Sequence, residues 1–356
     1  MSSLFSSLTL RGTTFRNRVW VSPMCMYSSV DGHPTDWHLV HLGAFAQGGA
    51  ALVMTEATAV VPEGRISPED AGIWNDGQAA DYERITAFVR SQGSVPGIQL
   101  AHAGRKASTR APWRGRGYVD PTDGGWETVG PSAVGYADWP VPRELTAEEL
   151  TALPGLWADA ARRSLRAGFE VAEIHAAHGY LLHQFLSPLS NGRTDAWGGD
   201  LAGRSRLLVE VVDAVRDVWP DDRPLFVRLS ATDWVAGGLV ADEVAEVAAR
   251  LAERGVDLVD VSSGGLSPDQ QVETGPGYQV SFATRVREVS GLPVAAVGLI
   301  TEPRQAEKIV ADGEADAVLL ARELLRNPHW AQQAAAELGA PDDAVRWPEQ
   351  YLRARP

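Results

Sequence analysis

The chain carries a single cysteine, Cys25, in 356 residues. One thiol excludes an internal disulfide, a Cys₄ zinc site and a Cys-ligated iron–sulfur cluster. Positive charge is also short: 32 Lys and Arg stand against 46 Asp and Glu, a formal net charge of −14. A nucleic-acid partner needs a basic face for its phosphates, and the acidic residues here are spread along the chain. A small anionic ligand stays open, because a few arginines hold a phosphate locally. No run approaches ~18 apolar residues, and Met1 to Arg18 has no continuous apolar stretch. The chain therefore reads as soluble and cytoplasmic, with no membrane partner. It has no low-complexity break and no short internal repeat. No Gly-x-Gly-x-x-Gly follows an apolar run, so dinucleotide binding of the Rossmann kind has no support.

What is present is an alternation. Short apolar runs read as strands at Val19-Trp20-Val21, Ala51 to Thr55, Gly97 to Leu100, Phe169 to Ile174, Pro224 to Leu229, Val256 to Val261, Pro293 to Val297 and Ala315 to Leu320. Helical stretches fall between them, over Trp37–Gln47, Tyr82–Ser91, from Thr146, Arg204–Val218, Ala241–Arg254, Ser281–Val289, Pro303–Ala311 and from Glu323. Thr146 with Glu148 and Glu149 in the following turn is a helix start. The Gly/Pro/Trp-rich loop from about Gly104 to Arg143 is too long for a mere connector. Eight strand–helix alternations in 356 residues predict one α/β domain, a (β/α)8 TIM barrel, with a doubly wound sheet as the runner-up. Residues 1–18 lead into it and 340–356 form a C-terminal arm.

The sharpest segment is Glu173-Ile174-His175-Ala176-Ala177-His178-Gly179-Tyr180. It sets two imidazoles and a phenol where a strand gives way to a loop, at the end of a barrel that carries chemistry. Ring N–H donors beside an O–H suit a site that polarises a carbonyl and delivers a proton. His175 and His178 also have a zinc-like spacing, which would need a third ligand and a carboxylate behind it.

Seven segments then occur in a known order: Ser22-Pro23-Met24-Cys25-Met26-Tyr27, Gly97 to Lys106, His175 to Leu181, Arg193-Thr194-Asp195 with Trp197-Gly198-Gly199, Val227-Arg228, Ala296-Val297-Gly298 and Ala321-Arg322-Glu323-Leu324. Together they make the chain, from about Leu4 to Arg353, similar to the old yellow enzymes, FMN-dependent ene-reductases. The thermophilic-like class, with a cysteine after Ser-Pro-Met and a short C-terminal arm, is the one it most resembles. Ala321 departs from the pattern, standing where a glycine is more usual.

The resemblance implies non-covalent FMN, NADPH or NADH as hydride donor, and an activated alkene as small-molecule substrate. Gly298, at the end of the seventh strand, with Ala321 and Arg322 after the eighth, would cradle the phosphate. Gln99 would meet the ring edge, and Arg228, inside an apolar strand, would supply a fixed positive charge for the anionic reduced flavin. A buried salt bridge is the other reading of that arginine. Ser22, Pro23, Met24, Cys25 and Ala57 carry over as wall and backbone contacts, with Cys25 tuning the flavin potential. His175 and His178 would bind the substrate oxygen and Tyr180 would protonate the α-carbon. Tyr27 and Lys106 would line the substrate pocket. Arg353 would reach a neighbouring subunit's site in a homodimer or homotetramer. The alternatives are a metal-dependent hydrolase built on His175 and His178, and a non-catalytic flavin-binding protein.

Overall fold

Runs such as Val19-Trp20-Val21 and Val294–Val297 have no polar face to turn to water, so they need a sheet covered on both sides. In the computed structural model, which describes residues 2–115 and 117–355, eight such runs pair in parallel and close on themselves. They are β1 (Val19–Val21), β2 (Leu52–Ala59), β3 (Val95–Ala101), β4 (Val171–Ala176), β5 (Leu225–Ser230), β6 (Leu258–Ser262), β7 (Val294–Val297) and β8 (Ala317–Leu320). Each bonds to the next and β8 returns to β1, giving a (β/α)8 barrel rather than a doubly wound sheet.

Inward side chains fill the barrel. Trp20, Leu52, Met54, Val171, Phe226 and Leu258 form one cluster with Leu10 and Phe15. The latter two come from a hairpin, Leu8–Leu10 with Thr13–Phe15, within the segment expected only to lead into the barrel. Phe15 lies 4.7 Å from Trp20, which stacks at 5.8 Å on Phe226. Outside, helices bury one stripe each. Helix Ala241–Ala252 turns Val244, Ala245, Val247, Ala248 and Leu251 inward, the helical spacing of a half-buried element. No helix among the described residues is long and apolar enough to cross a membrane.

The differences from expectation have local causes. Helix Ala147–Arg166 starts where its acidic first turn predicts, with Thr146 and Glu149 closing a reciprocal cap at 2.8 and 3.2 Å. Helix Asp76–Ser91 begins before Tyr82, because Asn75 caps it through Gln78 while the polar first turn hides the start. The helix expected from Glu323 is two, Arg322–Arg326 and Trp330–Glu337, broken at Pro328, which has no N–H to give. Helix Leu181–Leu186 was not anticipated: all six residues are buried, so no apolar–polar period marks it. The 104–143 loop holds three single turns of 3₁₀ helix and a short pairing of Val129–Gly130 with Arg143–Glu144.

Candidate active site

The C-terminal ends of β1 to β8 carry nearly all the residues singled out above. β4 ends in His175 and Ala176, after which His178 (φ +59°) and Gly179 (φ +73°) reverse the chain into helix Leu181–Leu186. Only glycine fits at 179, since a Cβ would stand 2.2 Å from the Gly265 carbonyl oxygen. The turn is tied at each end. The His178 N–H donates to Ser230 Oγ at 2.9 Å and the Gly179 N–H to His183 Nδ1 at 2.8 Å. Buried Gln184 clamps it further, donating to the carbonyls of Ala103 (3.1 Å) and Gly179 (2.7 Å) and accepting the Arg105 N–H at 3.2 Å.

That turn brings His175, His178 and Tyr180 together. The His175 ring lies 5.2 Å from His178 and 5.1 Å from Tyr180. His175 Nδ1 accepts the Ala177 N–H at 3.3 Å, which assigns the ring proton to Nε2. His178 Nε2 is 2.8 Å from Ser262 Oγ: with that hydroxyl donating to the ring the His178 proton is on Nδ1, and with it donating to Gln279 Oε1 (3.5 Å) the proton is on Nε2. Burial, then the Arg228 charge, holds both imidazoles well below their ordinary range, so they are neutral N–H donors. Burial, then Cys25, pushes the Tyr180 phenol well above its ordinary range, so it keeps its proton. Lys106 donates to the carbonyls of His178 (2.8 Å) and Gly265 (2.7 Å) and stands 5.2 Å from the Tyr180 ring centre. Burial, then Arg105, brings its ammonium down to about 7. Tyr27 (φ +49°) sits edge-on to Trp113 at 5.6 Å.

Below lies a polar layer, set on the apolar filling of the barrel. Arg228 on β5 is 4% exposed, its Nε 3.0 Å from Asp260 Oδ2, and its Nη2 donates to Ser22 Oγ at 3.2 Å. The salt-bridge reading of Arg228 is therefore realised, while the same guanidinium stays at the site. Gln99 on β3 donates through Nε2 to Glu173 Oε1 on β4 at 2.7 Å. Burial, then Asp260, lifts the Glu173 carboxyl to about 8, and burial lifts Asp260 to about 6 against the pull of Arg228. The sequence reading passed over Asp260, although a carboxylate between Val259 and Val261 carries the same signal as Arg228 between Val227 and Leu229.

One wall follows β1. Ser22 is buried, and Pro23, Met24 and Cys25 are half-buried. Cys25 and Tyr180 pack on a cluster of small side chains, Ala57, Ala101, Ala103 and Ala107, with Ile66. Behind Cys25 stand two buried carboxyls, Glu56 and Asp70, also unforeseen. An irregularity between Met54 and Ala57 re-aims β2 there, and Glu56 accepts His38 Nε2 (2.8 Å) and the Met26 N–H (2.9 Å). Burial, then Asp70 and Glu56, pushes the Cys25 thiol well up, so it is no nucleophile.

Opposite is a recess of about 230 Å³ between the ends of β7 and β8, lined by Gly298, Leu299, Ala321, Arg322, Tyr278 and Gln279. Gly298 has φ +120°, and a Cβ there would lie 2.7 Å from Gln279 Nε2 and 2.9 Å from the Tyr278 ring. Ala321, at φ −114°, has a negative φ, so alanine in place of the usual glycine needs no left-handed backbone. Arg322 makes no ion pair among the described residues, Glu323 being taken by Arg326. Two expectations are not brought to this place. Arg353 stands in an exposed turn, Glu349–Ala354, whose Tyr351 lies 6.2 Å from His329. His175 and His178 have no third His, Cys, Asp or Glu within ligand distance among the described residues, and Ser262, not a carboxylate, backs His178.

Residues 3–340 match the family described as NADH:flavin oxidoreductase / NADH oxidase. Proteins named NADPH dehydrogenase from Geobacillus thermodenitrificans and Bacillus cytotoxicus are 46% and 44% identical, over 98% and 99% of this chain and 98% and 97% of theirs. The solved structure of morphinone reductase in complex with tetrahydroNAD is similar at 26% identity and TM-score 0.78, over 99% of this chain and 97% of that one. The old yellow enzyme homologue from Zymomonas mobilis is similar at 25% identity and TM-score 0.78, over 99% of both chains. With barrel and sequence in agreement, the chain belongs to the NADH:flavin oxidoreductase / NADH oxidase family and is an FMN-using oxidoreductase of the old yellow enzyme type.

Proposed function

We propose that the protein is an ene-reductase that uses NADPH to reduce the activated C=C bond of α,β-unsaturated aldehydes, ketones, maleimides or nitroalkenes. The observation that carries this reading is the meeting of two neutral imidazoles and one protonated phenol at the end of β4. His175 and His178 hydrogen-bond the carbonyl or nitro oxygen, draw electron density from the double bond and prepare its β-carbon. Tyr180 gives its phenolic proton to the α-carbon. FMN, when bound, supplies the hydride relay from NADPH to the alkene.

The residues present fit that group. A glycine whose Cβ would collide at 2.7 Å leaves backbone room for a phosphate, and Arg322 adds a guanidinium. Gln99 and Arg228 would hold the pyrimidine edge, and Ser22, Pro23, Met24, Cys25 and Ala57 would form the wall. Gly298→Ala is expected to lower FMN affinity at least ~10-fold, equivalent to ~1.4 kcal/mol, because an alanine at φ +120° must move Gln279 or the backbone. Titration of FMN into apoprotein by fluorescence quenching checks it. Cys25→Ala should shift the flavin midpoint potential with FMN retained, and an unchanged potential removes that role.

The arm bearing Arg353 completes a neighbouring pocket in a cytoplasmic homodimer or homotetramer. Deleting residues 350–356 then raises the Michaelis constant for alkene or nicotinamide, and unchanged constants refute it. The whole reading is tested by an anaerobic visible spectrum of the FMN-loaded protein. The flavin band should bleach with NADPH and return with cyclohexenone. No flavin band after incubation with FMN would overturn it and turn attention to metal on His175 and His178.

A further inference from the structure

The polar layer holds two carboxyls and one arginine, and the function above uses only part of it. Asp260 takes the arginine. Glu173, 1% exposed, is left with a neutral partner, the Gln99 amide at 2.7 Å. An amide has a donor end and an acceptor end, so what Glu173 presents decides which end Gln99 has left over. An ionised carboxylate only accepts, so Gln99 turns its NH₂ side to Glu173, one N–H being used there, and presents its carbonyl oxygen on the other side. A protonated carboxyl donates to that oxygen, and the NH₂ is kept instead.

We propose that Glu173 is a proton-coupled positioning residue for the flavin, taking up a proton when the flavin is reduced and turning the donor end of Gln99 toward the ring. The proposal rests on the reading above, in which Gln99 meets the pyrimidine edge. The balance is simple. Hydride from NADPH brings two electrons and one proton and leaves NADP⁺, and one further proton from solvent forms the Glu173 O–H. A reduced ring with one more negative charge favours an N–H donor over a carbonyl oxygen, and a neutral carboxyl beneath it over a carboxylate. The groups facing Glu173 are few. Gln99 is beside it on β3, Arg228 and Asp260 come from β5 and β6, and His175 stands two residues along its own strand. Phe226, its ladder partner on β5, is neutral. Burial and Asp260 place its titration at about 8, so uptake on reduction operates above that pH, and below it the carboxyl carries its proton in both redox states.

The test is the midpoint potential of the FMN-loaded protein against pH for the wild type, Glu173→Gln and Asp260→Asn. A two-electron couple moves 29.6 mV per tenfold, so one proton gives about 30 mV per pH unit and two give about 60 mV. The wild type should follow the one-proton slope below about pH 8 and steepen to two protons above it. Glu173→Gln should keep one proton throughout, and Asp260→Asn should keep the steep segment. A single slope in the wild type, or a steep segment that survives in Glu173→Gln, overturns the proposal. A reduced-minus-oxidised infrared spectrum of the wild type near pH 9 asks the same without a variant. A carboxylic-acid C=O band gained on reduction supports the proposal and its absence overturns it. Reversible reduction without the second proton leaves the ene-reductase reading standing, whereas a wild type that takes up no FMN removes both.

Discussion

Replacing Tyr180 by phenylalanine is expected to slow reduction of cyclohexenone about 10²- to 10⁴-fold, the range of a positioned general acid, while flavin reduction by NADPH is nearly unchanged. The substitution is clean because the ring stays. Its edge contact with His175 at 5.1 Å and the Lys106 ammonium 5.2 Å from its centre need only the aromatic body. What leaves is one O–H, and no hydrogen bond of that O–H is needed to hold helix Leu181–Leu186. The Tyr180 phenol lies well above its usual range, so its proton is present across neutral pH and only the acid step feels its loss. Stopped-flow traces of the two half-reactions, taken separately, decide the matter. Equal slowing of both would show that Tyr180 shapes the site rather than supplying the proton.

Arg228→Met should be the most damaging substitution for both stability and redox chemistry. Removing one partner of a buried pair leaves the other uncompensated, at a cost of ~3–5 kcal/mol. That partner is Asp260, with 0% exposure and no second cation in contact among the described residues. The sign of the pH dependence follows. Asp260 already titrates at about 6, above its ordinary value, and without the guanidinium it rises further. A raised carboxyl favours folding while it is protonated and loses that contribution as pH climbs through its folded value. The gap in melting temperature between wild type and variant should therefore be small near pH 5 and wide near pH 8. Arg228→Met with Asp260→Asn should regain much of the stability and none of the potential, which separates the charge's two effects. Melting curves at the two pH values and a redox titration supply both numbers.

Much of this fold is legible in the amino-acid sequence. Eight short, mostly apolar runs alternating with helical stretches admit few arrangements other than a parallel barrel, and the motif residues at their ends fall together because strand ends in a barrel share one rim. What the sequence hid has physical reasons. Helix Leu181–Leu186 is buried all round, so it shows no period. The hairpin that sets Phe15 against Trp20 is two three-residue strands, too short to stand out. The carboxyls Glu56, Asp70, Glu173 and Asp260 belong to strands and loops that meet only in three dimensions. Of these, Asp260 and Glu56 interrupt apolar runs as Arg228 does, and the charge in each was a readable signal. The Gln99–Glu173 contact joins residues 74 positions apart, and only the β3–β4 register brings them level.

The clamp that Gln184 places around Gly179 and Ala103 has a bearing on how such an enzyme changes over time. Tyr180 opens a helix with no exposed face, so the acid cannot be shifted by surface substitution, and almost any change beneath it disturbs packing first. Past its first residues, where Arg105 and Lys106 tie into the clamp and the His178 carbonyl, the long segment after β3 is freer: exposed residues such as Trp113 and Val141 lie on it, and Trp113 sits against Tyr27. On the proposed function, proton delivery and substrate selectivity would then be open to change separately. A laboratory library confined to the exposed positions of 112–143 should yield new substrate preferences with the proton-delivery step intact, whereas one aimed at residues 179–186 should return chiefly insoluble protein.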